Sequence, residues 1–478
     1  MRQILFIPFL LILFSCSQKE QIEERKPNVI LINVDDLGWS DLGYMGSNYY
    51  ETPNIDSLSK EGVVFFQAYA GASNCAPSRA TMLTGTNTPA HGIYTVSPAD
   101  RGNPKTRRIV PSHNENSIKP NSYTLGNLFK DQGYVTASVG KWHVSENPKD
   151  FGFDVNVAGS HRGNPGKDGY FSPFNVSPVD SVGDGEFLTD VLTSAAIDFV
   201  EKNQEKPFFL YLPFYTVHTP LMAKEEDIAR FAAKTPEPGR SNATYAAMIY
   251  NMDQNVGRLL SKVSDLGLAE NTIIIFTSDN GGIRAVSYQD PLRAGKGSYY
   301  EGGIRVPMIV SWAGKFTHGE VQTPVSQMDF FPTLKELIGA EKPLDQLEGE
   351  SFLPLLKGEK MEPNDLYWHF PIYLEAYNPK EDGSRDPLFR TRPGSVIRSG
   401  DWKLHQYFED GGLKLYNLKD DVSETNNLVE SNPEKAAELL GKLNQWRERH
   451  QAPVPTEKNP EFDSLFEKTQ IEKVTKDQ

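Results

Sequence analysis

Asn28-Val-Ile-Leu-Ile-Asn-Val-Asp35-Asp36 decides the fold class. The apolar run lacks the strict alternation of a half-wet strand, so it reads as a β-strand buried on both faces that ends in two carboxylates. A second run of this kind, Thr272-Ile-Ile-Ile-Phe-Thr277, leads into Ser278-Asp279-Asn280-Gly281-Gly282. Between them, helix-like and strand-like segments alternate. Thr124 to Gln132 reads as a helix capped by Asn121 or Ser122, and Tyr134 to Gly140 as a strand. Glu186 to Asn203 is a long amphipathic helix, and Phe208 to Phe214 is a strand after Pro207. Tyr245 to Leu266 places Met248, Met252, Val256, Leu259 and Leu260 at helical spacing. Pro307 to Trp312 adds another strand. This order predicts an α/β fold, with a central, mostly parallel sheet and helices on both of its faces. Ligands of such sheets sit beyond the carboxyl ends of the strands, where Asp35, Asp36, Asp279 and Asn280 stand.

The pattern changes after Leu355-Leu356-Lys357-Gly358. Tyr367 to Phe370, Ser395 to Arg398, Trp402 to Phe408 and Lys414 to Leu418 are short strand candidates, with Asp410-Gly411-Gly412 as a hairpin signal. Pro433 to Arg449 reads as a helix packed on that smaller antiparallel sheet. The expected organisation is a main domain over 27–358, an α+β subdomain over 359–450 and a polar tail over 451–478 of which little packs. With 38% hydrophobic residues over 478 positions, the chain is long enough for a large core. Its 49 Lys+Arg against 63 Asp+Glu give a net charge of −14 with the signs mixed. That balance argues against nucleic acid as a partner and against polybasic attachment to anionic lipid. Only Cys16 and Cys75 are present, which excludes a disulfide framework.

Cys16 closes an N-terminal segment with Arg2 at its start and an apolar stretch from Ile4 to Phe14. That stretch is shorter than the ~20 residues a spanning helix needs and reads as a secretory signal over 1–15. Leu13-Phe14-Ser15-Cys16 resembles a bacterial lipobox. The resemblance implies lipidation of Cys16, a lipid anchor to a membrane and a tether over 16–26. The expectation is an exported outer-membrane lipoprotein facing the periplasm or the cell surface. An ordinary signal peptide with an incidental cysteine is the plainer alternative.

The two strand ends together offer three carboxylates and an amide. Such residues serve as turn formers or as an oxygen-rich site for a hard divalent cation. In Cys75-Ala76-Pro77-Ser78-Arg79, Pro77 fits a first helical turn, which sets Cys75 at a helix N-terminus where the dipole favours an anion. A small buried thiol is the alternative. His143, His218 and Lys296 lie in loop-like stretches and by themselves could be satisfied or solvated side chains.

Residues 75–85 carry the pattern C-x-P-S-R-x-x-x-L-T-G with every fixed position filled. In this the chain resembles the type I, formylglycine-dependent sulfatases of the alkaline-phosphatase superfamily, and in particular bacterial polysaccharide sulfatases. The likeness runs from Pro27 to about Arg449. It takes in Asp35-Asp36, Gly140-Lys141-Trp142-His143, Pro207 to His218, Asp279-Asn280-Gly281-Gly282, Lys296 and Glu301 to Pro307. The resemblance implies an alkaline-phosphatase-like fold and hydrolysis of sulfate esters. It implies that a formylglycine-generating enzyme oxidises Cys75 to formylglycine (3-oxoalanine). One hydroxyl of the hydrate would attack sulfur and the other would later expel sulfate, which divides a hard step into two.

By the same likeness, Asp35, Asp36, Asp279 and Asn280 hold one Ca²⁺ facing residue 75. Arg79 sits against residue 75 and the metal carboxylates, Lys141 and Lys296 neutralise sulfate, His143 handles the hydrate's proton, and His218 protonates the leaving oxygen. Glu301 and Arg305 support the loop of Lys296. In Gly159-Ser160-His161-Arg162, His161 and Arg162 are candidates for contacting sulfate or sugar. Two locally basic segments are candidate rims for a polyanion: Arg101, Lys105, Arg107, Arg108 and His113, then Arg390, Arg392 and Arg398. The expected substrate is a sulfated oligosaccharide or polysaccharide, of ulvan or carrageenan type for example, attacked from its end. The alternatives are a phosphoester or phosphonate hydrolase on the same fold, or a non-catalytic glycan-binding lipoprotein. The second predicts erosion of the nucleophile, metal or lysine positions, and none is eroded.

Overall fold

The computed structural model describes residues 25–166, 168–179 and 182–476. The leader and the lipidation expected at Cys16 lie outside the described residues. The main sheet has eight strands in the order Gly319–Val321, Val63–Phe65, Met308–Trp312, Thr272–Ser278, Asn28–Val34, Phe208–Pro213, Val135–Val139 and Val155–Val157. Asn28–Val34 is central and pairs in parallel on both sides, with Val29 opposite Phe209 and Val34 opposite Ser278. All of its residues are buried. Ile30, Ile32, Leu210, Leu212, Ile274 and Phe276 join one core cluster, with residues of helices Leu188–Lys202 and Ala243–Asp265. Val29, Leu31, Phe209, Tyr211, Ile273 and Ile275 join the other, with residues of helices Cys75–Thr84, Leu125–Asp131 and Phe330–Leu337. Burying each such side chain contributes about 1.5–3 kcal/mol, which explains the continuous apolar runs.

Met308–Trp312 runs antiparallel to both of its neighbours. The connection from Ser278 stays at the carboxyl edge of the sheet, where it builds loops and the short helix Glu301–Ile304. The strand that follows must therefore descend, so the sheet is mostly rather than wholly parallel. The helix expected over Thr124 to Gln132 runs Leu125–Asp131, and its cap is Thr124 rather than Asn121 or Ser122. Thr124 and Asn127 form a capping box, and the Thr124 hydroxyl donates to the Phe151 carbonyl at 2.8 Å.

The C-terminal sheet is antiparallel in the order Leu366–Phe370, Gly394–Ser399, Trp402–Tyr407, Leu413–Asn417. Helix Pro433–Arg449 lays Leu439, Leu443 and Trp446 on Ile397, Leu404 and Leu415. A two-stranded ribbon, Leu374–Glu375 with Phe389–Thr391, frames the loop between them. As expected, little of the polar tail is buried: among the described residues of 451–476 only Glu467 is, yet the tail is fastened to the body. Ser464–Lys476 is helical, and the Asn459 side-chain amide donates to the carbonyls of Pro104 and Arg107 at 2.8 and 2.7 Å. Glu467 is buried and accepts from Arg108 and Arg392 at 3.0 Å each. The tail is held by ion pairs and backbone hydrogen bonds, which hydropathy does not register. No helix among the described residues is long and apolar enough to cross a membrane.

Candidate active site

The register of the central strands sets Asp35-Asp36 beside Asp279-Asn280 at the carboxyl edge. The Asp279 N–H donates to the Val34 carbonyl at 3.0 Å, and the Asp36 N–H to Asp279 Oδ1 at 3.2 Å. Asp36 adopts a left-handed φ of 61°, a conformation short polar side chains tolerate. Its Oδ1 accepts from the Asn280 amide at 2.8 Å and its Oδ2 from Lys296 Nζ at 2.7 Å.

Cys75 opens helix Cys75–Thr84 and is 1% exposed. Its Sγ lies 3.5 Å from Asp35 Oδ1 and 3.9 Å from Asp36 Oδ1. One turn on, Arg79 donates from Nε to Asp279 Oδ2 at 2.8 Å and from Nη1 to the Lys141 carbonyl at 2.7 Å. Gly140 lets Lys141 into the site. At φ 128°, a Cβ there would lie 1.9 Å from the Pro213 carbonyl oxygen, so only glycine lets this turn touch the neighbouring strand. Lys141 then donates from Nζ to Asp35 Oδ2 at 2.5 Å. His143 is buried, with Nδ1 lacking a hydrogen-bond partner. The His161 ring lies 6.2 Å away, edge to face. Gly163 covers His143, where a Cβ would fall 2.4 Å from Cε1.

His218 follows the Phe208–Pro213 strand. Its Nδ1–H donates to the Thr219 carbonyl at 2.7 Å, leaving Nε2 3.7 Å from Asp36 Oδ2. Lys296 is fixed through its backbone, which donates to the Gly282 carbonyl at 2.9 Å and accepts from Arg390 Nη1 at 3.0 Å. Its loop is anchored at Glu301, a fully buried carboxylate that accepts from Tyr69 at 2.6 Å and Lys403 at 2.9 Å. The Glu301 N–H donates to Glu424 at 2.6 Å, and Lys403 also reaches Glu424 at 3.0 Å. Arg305 lies 3.6 Å from Glu301 and stacks on Trp39.

Electrostatics follow from burial and these partners. Burial pushes the Asp35 carboxyl up to about 7 against the pull of Lys141. Burial works against Asp36 as well, yet Lys296, His218 and Lys141 hold it well below the usual carboxylate range. Burial pushes the Cys75 thiol up to about 12 despite Lys141 and Lys296. His143 is held well below its ordinary value by burial, then by Lys141 and Arg79. His218 is lowered to about 3 by burial and Lys296.

One oxygen or sulfur of each of Asp35, Asp36, Cys75 and Asp279 lies within 4.8 Å of the others. Asn280 Oδ1 is buried beside them without a hydrogen-bond partner. Three carboxylates face three basic side chains, Arg79, Lys141 and Lys296, so an added divalent ion would tip the balance toward positive charge, as an anionic ester requires.

The floor opens into a cavity of about 340 Å³ lined by Cys75, His143, His161, His218 and Lys296, with Arg101, Asn116, Tyr377 and Arg390 around them. Arg162 is exposed and outside that lining. A larger cleft of about 690 Å³ by Asp190, Lys224 and Arg258 holds none of this chemistry. Asn116 and Tyr377 were not anticipated. Both lie in irregular segments without periodicity, and only the folded chain brings them to the pocket.

The family model described as Sulfatase matches residues 27–340, and that described as N-sulphoglucosamine sulphohydrolase, C-terminal, matches 295–451. A "Sulfatase" of Formosa agariphila is 33% identical, with 92% of each chain covered. The N-acetylgalactosamine-6-sulfatase of Canis lupus familiaris is 32% identical, covering 72% of this chain and 69% of that one. Among solved structures, Ps i-CgsB in complex with k-i-k-neocarrahexaose superposes with a TM-score of 0.73. It is 30% identical, over 94% of this chain and 98% of that one. With such matches spanning both the main sheet and the C-terminal subdomain, the chain belongs to the sulfatase family and is a sulfuric ester hydrolase.

Proposed function

We propose that this sulfatase is an exported, calcium-dependent enzyme that removes sulfate from the ends of sulfated carbohydrate chains, using a formylglycine made from Cys75. The observation that carries the reading is Asn280. Its buried, unpartnered Oδ1 completes an oxygen set with Asp35, Asp36 and Asp279 directly beside Cys75. Hard oxygen donors of this kind suit Ca²⁺. Bound there, the ion would supply charge that binds sulfate oxygens and acidifies the attacking hydroxyl.

The remaining work falls to side chains of this protein. Residue 75, as the aldehyde hydrate, presents one hydroxyl to sulfur and keeps a second for release of sulfate. Its place at a helix N-terminus favours negative charge on that oxygen. Lys141 and Lys296 hold the sulfate oxygens, and Arg79 fixes Asp279. His143, neutral and with an unpartnered Nδ1, takes up the proton of residue 75. His218 protonates the departing sugar oxygen from Nε2, since Nδ1 is committed to Thr219. The negative charge of a bound ester opposes the lowering that Lys296 imposes on this ring.

The carbohydrate reading draws on the 30% identical relative captured with k-i-k-neocarrahexaose. The size of the cavity, about 340 Å³, suits one terminal sugar and so exo action on ulvan- or carrageenan-type fragments. Export, with Cys16 lipidated at an outer membrane, draws on the leader sequence.

Peptide mass spectrometry over residues 75–79, on protein from the native host, is expected to find the aldehyde, and an unmodified thiol overturns the proposal. Chelation should abolish turnover and Ca²⁺ should restore it better than Mg²⁺. Faster cleavage of a phosphate than of a sulfate monoester of the same phenol would sink the assignment of substrate.

A further inference from the structure

We infer that Arg101 and Arg390 form a second anion site in the pocket, selecting substrates that carry another sulfate or a carboxylate close to the scissile sulfate. This rests on the sulfated-carbohydrate reading above. Of the two basic segments, most members are spoken for. Arg107 pairs with Asp100 at 3.5 Å and Arg108 with Glu467 at 3.0 Å. Lys105 lies over the Phe466 ring, and His113 faces Glu115. Arg392 is buried among Asp386, Glu409 and Glu467, and Arg398 is bonded to Tyr69 and Gln67. They hold the tail and the C-terminal sheet in place and do not line the pocket.

Arg101 and Arg390 differ. Both line the cavity, and neither has a carboxylate within salt-bridge distance among the described residues. Arg390 is 5% exposed, and a buried cation without a direct ion pair is costly. Its Nε donates to the Glu375 carbonyl at 2.9 Å and its Nη1 to the Lys296 carbonyl at 3.0 Å. The Tyr377 ring lies 3.3 Å from its guanidinium carbon. These contacts fix its direction; the Asp382 carboxylate feels its charge from beyond salt-bridge distance, and Nη2 makes no hydrogen bond among the described residues. Among the described residues Arg101 is tied only through Nη2, to the carbonyls of Val96 and Ser97 at 3.0 and 3.3 Å, and its Nε and Nη1 make no bond there.

Two directed guanidinium groups without a salt-bridged carboxylate, in a chain of net charge −14, mark a site whose close counter-ion arrives with the ligand. The scissile sulfate already has Lys141 and Lys296. Because Arg390 bonds the carbonyl of Lys296, the additional anion belongs on the same sugar or the next.

The test uses competition against hydrolysis of an aryl sulfate by the matured enzyme. The competitors are a hexose monosulfate, the matching disulfate and a sulfated hexuronate. One or both dianionic sugars should compete roughly tenfold or more tightly than the monosulfate, as charge-assisted hydrogen bonds allow. The arm that gains identifies sulfate or carboxylate as the preferred group. Arg101→Gln should bring the ratio to within about twofold while Arg101→Lys keeps part of it. Arg390→Gln should do the same, with an unfolding curve run alongside because Arg390 also ties the Lys296 loop. Equal competition by all three sugars in the native enzyme overturns the inference, as does a ratio that survives both glutamine variants. If no sugar competes while the aryl sulfate is still cleaved, the carbohydrate reading falls and the second site falls with it.

Discussion

Replacing Lys403 by methionine tests the strut that holds the Lys296 loop to the C-terminal sheet. Lys403 Nζ bridges Glu301 at 2.9 Å and Glu424 at 3.0 Å, and all three side chains are fully buried. Burial raises the pKa of Glu301, yet Lys403, Arg398 and Arg305 bring it down from 4.5 to about 2. Removing one partner of a buried ion pair costs about 3–5 kcal/mol. Urea unfolding followed by tryptophan fluorescence should show a loss of about 3 kcal/mol at pH 7, with kcat/KM falling alongside because Lys296 loses its anchor.

The sign of the pH dependence is fixed. A carboxylate depressed in the folded state stabilises fully above its unfolded value of 4.5, and that stability is lost as pH falls through about 2. The gap between native enzyme and variant should be flat from pH 7 to 5 and shrink below 4.5. A loss under about 1 kcal/mol, or a gap that widens on acidification, would refute the reasoning.

His218→Ala should cut turnover of a sulfated sugar by about 10²–10⁴-fold while sparing an aryl sulfate whose phenol leaves unaided, because only the poor leaving group needs a proton. Equal losses on both substrates would remove the general-acid role. Gly163→Ala puts a Cβ 2.4 Å from His143 Cε1, so the ring must move. The expected result is a fall in kcat approaching about 100-fold with little change in the unfolding midpoint, read by steady-state kinetics and thermal melting.

The legible parts of this molecule were those written locally. Asp35-Asp36 and Asp279-Asn280 follow unbroken β-rich runs, so the sheet edge and its carboxylates came from the same reading. Cys75 and Arg79 were carried by one contiguous motif. The reversed direction of Met308–Trp312 was not legible, because it depends on where residues 279–307 travel in space. The arginines were ambiguous for a similar reason. Arg101, Arg107 and Arg108 look alike along the chain, and the residue that separates the last from the first is Glu467, 359 positions from Arg108. A tail fastened by such pairs reads as solvated until its partners are placed. Gly163 gave no signal either, since its role is to leave room for a ring 20 residues earlier in the chain.

The burial of Cys75 sets a timetable. At 1% exposure beneath Asp35, Asp36 and Lys296, the thiol offers no surface to another macromolecule once the chain has folded. The carboxylate that clamps the helix of Cys75 belongs to Asp279, which leaves the ribosome 200 residues after Arg79. An enzyme that is to alter residue 75 has that interval, and any later period in which the chain is kept unfolded, as its window. If the chain is exported as proposed above, chemistry at residue 75 and passage across a membrane compete for the same open chain, and the order of the two decides whether an active molecule arrives.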